Sequence, residues 1–71
     1  MTNGFRLTTE NEYGEVVLNE IFNGFRKANL NFRVEVKNKN VKRVLLHKVY
    51  FDENGDLIRE KDERIMACSR V

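Results

Sequence analysis

Residues 31–58, NFRVEVKNKNVKRVLLHKVYFDENGDLI, contain the patterns that decide the predicted fold. In residues 31–37, apolar side chains alternate with charged ones, and this period of two is typical of a β-strand with one buried face. The polar triplet at 38–40 suits a tight hairpin loop. A second strand is predicted from Val41 to about Phe51, so the middle of the chain is predicted to be a β-hairpin.

The register of this hairpin follows from its loop of three residues. It puts Val34 opposite Val44 on one face and Glu35 opposite Arg43 on the other. One register therefore gives both an apolar face and a cross-strand pair of opposite charges, which supports the pairing.

The segment DENGD at residues 52–56 predicts a second hairpin turn, in which Gly55 adopts the positive φ that such turns require. A strand after this turn would place Phe51 opposite Leu57 and Tyr50 opposite Ile58. The predicted sheet thus extends directly into the C-terminal part of the chain.

The residues that precede the first hairpin favour a helix from Glu15 to Ala28. Apolar side chains recur there at spacings of three and four, glutamates lie toward the start, and Arg26 and Lys27 lie at the end, which suits the helix dipole. Gly24 lies inside this pattern and weakens it.

Both ends of the chain also carry alternating patterns. Residues 5–9 predict a short strand, whereas residues 59–71 are compatible with a fourth strand, which we favour, or with a charged helix. The predicted fold class is α+β: a small two-layer domain over residues 1–71, with one helix packed on an antiparallel β-meander of three to five strands.

The size of the chain favours association. A domain of 71 residues buries only about 60% of its unfolded surface. One Cys cannot close an intrachain disulfide, and one Cys with one His cannot form a zinc site with four ligands. We therefore expect a homodimer or a larger complex. No apolar run approaches the length of a membrane span, and we expect a cytoplasmic protein.

The net charge of +2 is unevenly distributed along the chain. Residues 1–22 carry one Arg against four Glu, a net −3, and residues 51–71 carry four basic against six acidic residues, a net −2. Residues 23–50 carry eight basic residues against one Glu, a net +7. Such a basic centre indicates a partner surface, unless opposite charges pair within the fold and cancel it locally. Phosphate backbones are the partners that need several basic residues on one surface. The candidate nucleic-acid-binding residues are Arg26, Lys27, Arg33, Lys37, Lys39 and Arg43.

The second predicted strand carries apolar residues on its outer face as well as on its inner one. Either another part of the chain covers this face, or it is an interface for a partner or a second copy of the chain. The candidate interface residues are Val41, Leu45, Val49, Phe51 and Leu57.

Catalytic patterns are scarce. His47 is the only histidine, Cys68 has no motif around it, and the acidic turn at 52–56 lacks the twelve-residue frame of a calcium loop. We expect no enzyme, cofactor or metal site. The favoured function is a non-catalytic regulatory or binding module that contacts nucleic acid or a nucleoprotein. The alternative is a protein-interaction module, such as an inhibitor, an adaptor or a phage-type accessory protein, that uses its apolar face.

Overall fold

A computed structural model describes residues 2–69 of the chain. It contains a four-stranded antiparallel sheet with the strand order β2-β1-β3-β4 and one α-helix that connects the two hairpins. The elements are β1 (Thr2–Glu10), β2 (Val16–Phe22), α1 (Phe25–Val36), β3 (Arg43–Phe51), a 3₁₀ turn (Arg59–Lys61) and β4 (Glu63–Ser69). The predicted fold class, one helix on a small antiparallel sheet, is confirmed.

The core lies between α1 and one face of the sheet. Leu7 of β1 and Leu46 of β3 are opposite each other in the central strand pair, and both are fully buried. The helix contributes Ala28 and Phe32 to the same cluster. Because residues directly opposite in an antiparallel pair share a face, this pairing fixes which residues of every strand face the helix.

The predicted helix at residues 15–28 is wrong. Residues 16–22 form β2, which pairs with β1 along its length, with Phe22 opposite Phe5 and Leu18 opposite Thr9. The β-branched residues of this segment favour an extended strand, and the pairing with β1 outweighs the helical spacing of its apolar residues. Gly24, which weakened the helical pattern, has extended backbone angles and forms the N-cap of α1.

The predicted strand at residues 31–37 is also wrong, since residues 25–36 form α1. Phe32, Val34 and Val36 fit a period of two, but Ala28, Phe32 and Val36 also fit a period of four. The second pattern is the one that packs on the sheet: Ala28 and Phe32 are buried, whereas Val34 is 65% exposed. Residues 38–40 therefore connect a helix to a strand, and the predicted pair of Glu35 with Arg43 does not form.

The C-terminal half agrees more closely with the prediction. The strand predicted over residues 41–51 is β3 at 43–51, and Gly55 has a φ of 84° in the turn that follows. Leu57 forms a bridge with Phe51, and the Ile58 N–H donates to the Tyr50 carbonyl at 2.8 Å. The 3₁₀ turn interrupts the expected third strand, so regular pairing with β3 resumes only at Glu63.

The C-terminal segment forms a strand rather than a helix over residues 63–69. Arg70 and Val71, the last residues of the predicted fourth strand, lie outside the described residues. Within residues 2–69, α1 is too short and too polar to cross a membrane, and no other helix approaches the required length.

Candidate nucleic-acid interface

The outer side of α1 carries most of the basic residues that the sequence singled out. Since α1 packs Ala28, Phe32 and Val36 toward the sheet, the helical period of 3.6 residues turns the opposite side of the helix outward. Leu30 and Val34 are 55% and 65% exposed in the middle of this surface. We call it the cationic helix face, and it consists of the exposed residues Arg26, Lys27, Leu30, Arg33, Val34 and the C-cap residue Lys37.

The charges on the cationic helix face are not neutralised within residues 2–69. No acidic residue lies in the first turn of α1, and the ion pairs of the described residues lie elsewhere. Glu35, the only acidic residue of the helix, is half-buried and accepts a hydrogen bond from the Asn38 amide at 3.4 Å. The cations of this face are therefore available to an anionic partner.

Lys39 extends the basic surface beyond the end of α1. It lies in the loop between α1 and β3, where it lines a groove of about 400 Å³. The opposite wall of this groove is the turn between β1 and β2. Its lining residues are Asn11, Glu12, Tyr13, Lys39, Asn40, Val41 and Lys42.

Arg43 does not belong to this surface. It is the first residue of β3 and lies opposite Glu10 of β1, with 3.8 Å between the Arg43 Nη1 and Glu10 Oε1 atoms. The alternation along β3 puts Arg43 on the face that points away from the helix, because Val44 points toward it. The predicted hairpin of residues 31–51 would put Arg33, Lys37 and Arg43 on the same outer face of the sheet. This expectation is wrong, since Arg33 and Lys37 belong to the helix and its cap.

The candidate interface residues are also divided by the structure. Val41 is 4% exposed and packs in the core with Phe32, so it does not lie on an outer face. Leu45, Val49 and Phe51 alternate along β3 on the face away from the helix, and Leu57 lies opposite Phe51. We call this the open face, and it has two different ends.

One end of the open face is closed by the connection between β3 and β4. Val49 is fully buried there, although it lies on the side of the sheet that faces away from α1. The Arg6 guanidinium of β1 donates to Asp62 at 2.6 Å, which ties the connection to the sheet. At the other end, Leu45 is half-buried and its β4 partner Ala67 is exposed.

His47 lies at the closed end of the open face. Burial lowers its pKa from the usual value of 6.5, and the positive charges of Arg6 and Arg64 lower it further, while Asp62 acts in the opposite direction. Its Nδ1 atom is buried without a hydrogen-bond partner in the part of the chain described. These neighbours favour the neutral imidazole.

Tyr13 is a residue that the sequence analysis missed. It is 77% exposed at the tip of the turn between β1 and β2 and lines the same groove as Lys39. An aromatic residue directly before Gly14 in a polar turn, NEYGE, was the available indication of an exposed ring.

The comparisons give no family for this chain: no protein-family model, no curated protein and no solved structure matches it. Among residues 2–69, histidine, cysteine and carboxylate side chains do not gather into a group that could hold a metal ion.

Proposed function

We propose that this chain is a small non-catalytic regulatory module that binds nucleic acid, alone or within a nucleoprotein, through the cationic helix face and Lys39. The observation that carries the proposal is the exposure of Arg26, Lys27, Arg33 and Lys37 on one helix without an ion-pair partner in residues 2–69. Like charges that are held together on a surface repel one another and destabilise the folded domain. A bound polyanion would neutralise these charges and remove the repulsion.

The dimensions of this surface suit a phosphate backbone. Arg26 and Lys37 are separated by about 16 Å along the helix axis at 1.5 Å per residue. That length corresponds to about five stacked nucleotides at 3.4 Å each. Binding would release the counterions condensed on the neutralised phosphates, so the affinity should fall steeply with salt.

The experiment compares two double variants that change the net charge equally. Arg26→Glu/Arg33→Glu reverses the cationic helix face, while Arg59→Glu/Arg64→Glu reverses exposed arginines on the β3–β4 connection and β4. Affinity for a mixed-sequence oligonucleotide is measured by fluorescence anisotropy at several salt concentrations. We expect the helix variant to bind at least about tenfold more weakly, with a shallower salt dependence, and the control to change much less.

Equal losses for both variants would mean that net charge alone governs binding, and the cationic helix face would lose its special role. If the unmodified chain bound no DNA or RNA at low ionic strength, the proposal would be wrong. Circular dichroism of each variant checks that the fold is retained.

The second candidate is a protein-interaction module that uses the open end of the open face. Leu45, which is half-buried, lies there opposite Ala67, which is exposed. A second copy of the chain could cover both residues. Light scattering on the same samples separates the two candidates. A stable dimer that forms without nucleic acid supports the interface, and a monomer that associates only on DNA or RNA supports the first proposal.

A further inference from the structure

The groove beside Lys39 combines an exposed aromatic ring with cations. Tyr13 stands on one wall at 77% exposure, and Lys39 and Lys42 line the other. Aromatic rings beside basic residues are the combination on which the bases of single-stranded nucleic acids stack.

Both walls of the groove are held by short hydrogen bonds. In the turn that carries Tyr13, the Asn11 side-chain oxygen accepts the N–H groups of Tyr13 at 2.9 Å and Glu15 at 3.0 Å. Gly14 supplies the positive φ of 78° that closes this turn. A bound base would therefore meet a ring whose backbone is already ordered, which reduces the entropy lost on binding.

The second wall is ordered in a similar way. The Asn38 side-chain oxygen accepts the Asn40 N–H at 3.0 Å, and the Lys42 N–H donates to the Glu10 carbonyl at 2.9 Å. The latter bond joins the loop to β1, just before the turn of Tyr13. The two walls thus have a fixed separation.

The loop that lines the groove directly follows the cationic helix face along the chain. Lys37 caps α1, and the loop then leads through Lys39 into the groove. A strand whose phosphates lie along the helix would pass Lys39 on its way to Tyr13. Glu12 and Asn40, whose side chains have no partner within residues 2–69, offer an acceptor and an amide to the edge of a base.

We propose that this groove is a subsite for one unpaired nucleotide, with the base stacked on Tyr13 and its phosphate beside Lys39 and Lys42. The inference rests on the proposed nucleic-acid binding and narrows the ligand to single strands. A base within a duplex would first have to unpair and leave its stack, which costs free energy. It predicts that the chain binds a single strand more tightly than a bare backbone of equal charge.

The test uses three probes of equal length: a 12-nucleotide oligothymidylate, the matching abasic strand and a 12-base-pair duplex. Tyr13→Ala should weaken binding of the oligothymidylate by about tenfold, within the range found for one base–aromatic stack. Binding of the abasic strand and of the duplex should remain unchanged. Tyr13→Phe, which retains the ring, should bind like the original chain.

Tyrosine fluorescence gives a second readout, because the chain has two tyrosines and no tryptophan. Tyr50→Phe removes a hydroxyl that donates to Glu63 at 3.0 Å and leaves Tyr13 as the only tyrosine. In this variant, the oligothymidylate should quench the emission and the abasic strand should not.

The outcomes separate this inference from the proposed function. If Tyr13→Ala binds the oligothymidylate as tightly as the original chain while the Arg26→Glu/Arg33→Glu variant does not, the nucleotide subsite is refuted and the cationic helix face stands. If none of the three probes binds at low ionic strength, both proposals fail. Equal quenching by the abasic strand would also refute base stacking.

Discussion

The side of the molecule that carries α1 and the open face on the other side of the sheet differ in two respects. They differ in what covers the sheet and in whether their charged residues are paired. The helix covers the first with Ala28 and Phe32. On the open face, the β3–β4 connection closes one end, and two of the arginines are paired with carboxylates, Arg6 with Asp62 and Arg43 with Glu10. The cationic helix face, in contrast, has unpaired cations within the described chain.

This difference shows that a basic residue is available to a partner only if the fold leaves it unpaired. A high density of basic residues in the sequence is not enough. Arg43 belongs to the basic centre of the sequence, but Glu10 lies beside it. An exposed pair of this kind contributes only a modest free energy, yet the carboxylate of Glu10 offsets the attraction of Arg43 for an anion. Arg33 has no such neighbour among residues 2–69.

The largest effect that separates the two faces should come from adjacent leucines of β3. Leu46→Ala removes a fully buried side chain under the helix and should cost about 2–5 kcal/mol of unfolding free energy. Leu45→Ala removes a half-buried side chain from the open face and should cost about 1 kcal/mol or less. Urea denaturation measures both. Similar costs would show that the open face is covered as completely as the face of the sheet under α1.

A smaller effect tests the closed end of the open face. Val49→Ala should cost about 2 kcal/mol, because about 0.8 kcal/mol is lost for each buried methylene-sized group and a cavity remains. Val34→Ala is the matched control, since Val34 is 65% exposed on α1 and alanine favours helices. If Val49→Ala were as neutral as the control, the connection between β3 and β4 would not close that end.

The sequence was sufficient where the determinants of structure are local. The turn at Gly55 and the alternation along β3 depend on neighbouring residues, and both predictions are confirmed. It was insufficient for β2 and α1. Phe32 and Val36 fit two periods at once, and the choice between them depends on β2 pairing with β1, a contact between segments that the pattern does not encode.

The exposure of the candidate basic residues was easier to predict than the elements that carry them. Arg26, Lys27, Arg33 and Lys37 followed from counting charges along the chain, and exposed charge does not depend on whether its segment is a helix or a strand. Arg43 could not be separated from them, because its pairing with Glu10 depends on the register of β1 against β3. The prediction that Val41 lies on an outer face was wrong for a related reason. Val41 precedes β3 and packs in the core beside the helix.

The smallest expected effect is a pH dependence of the unfolding free energy that comes from His47 on the open face. His47 is the only histidine, and its folded-state pKa lies below the unfolded value of 6.5 because of burial and the charge of Arg6. The unfolded chain therefore takes up a proton first as the pH falls. Stability should be constant above the unfolded pKa and should decline as the pH drops from there toward the folded pKa.

His47→Gln removes this titration while keeping a polar side chain of similar reach. Urea denaturation between pH 5 and 8 should show the decline in the original chain and a flatter profile in the variant. Asp62 opposes the shift and Arg64 reinforces it, so Asp62→Asn should deepen the decline and Arg64→Gln should reduce it. An original chain that became more stable as the pH fell through this range would mean that Asp62 outweighs burial and both arginines. The charges at the closed end would then be arranged to hold a protonated His47 rather than a neutral one.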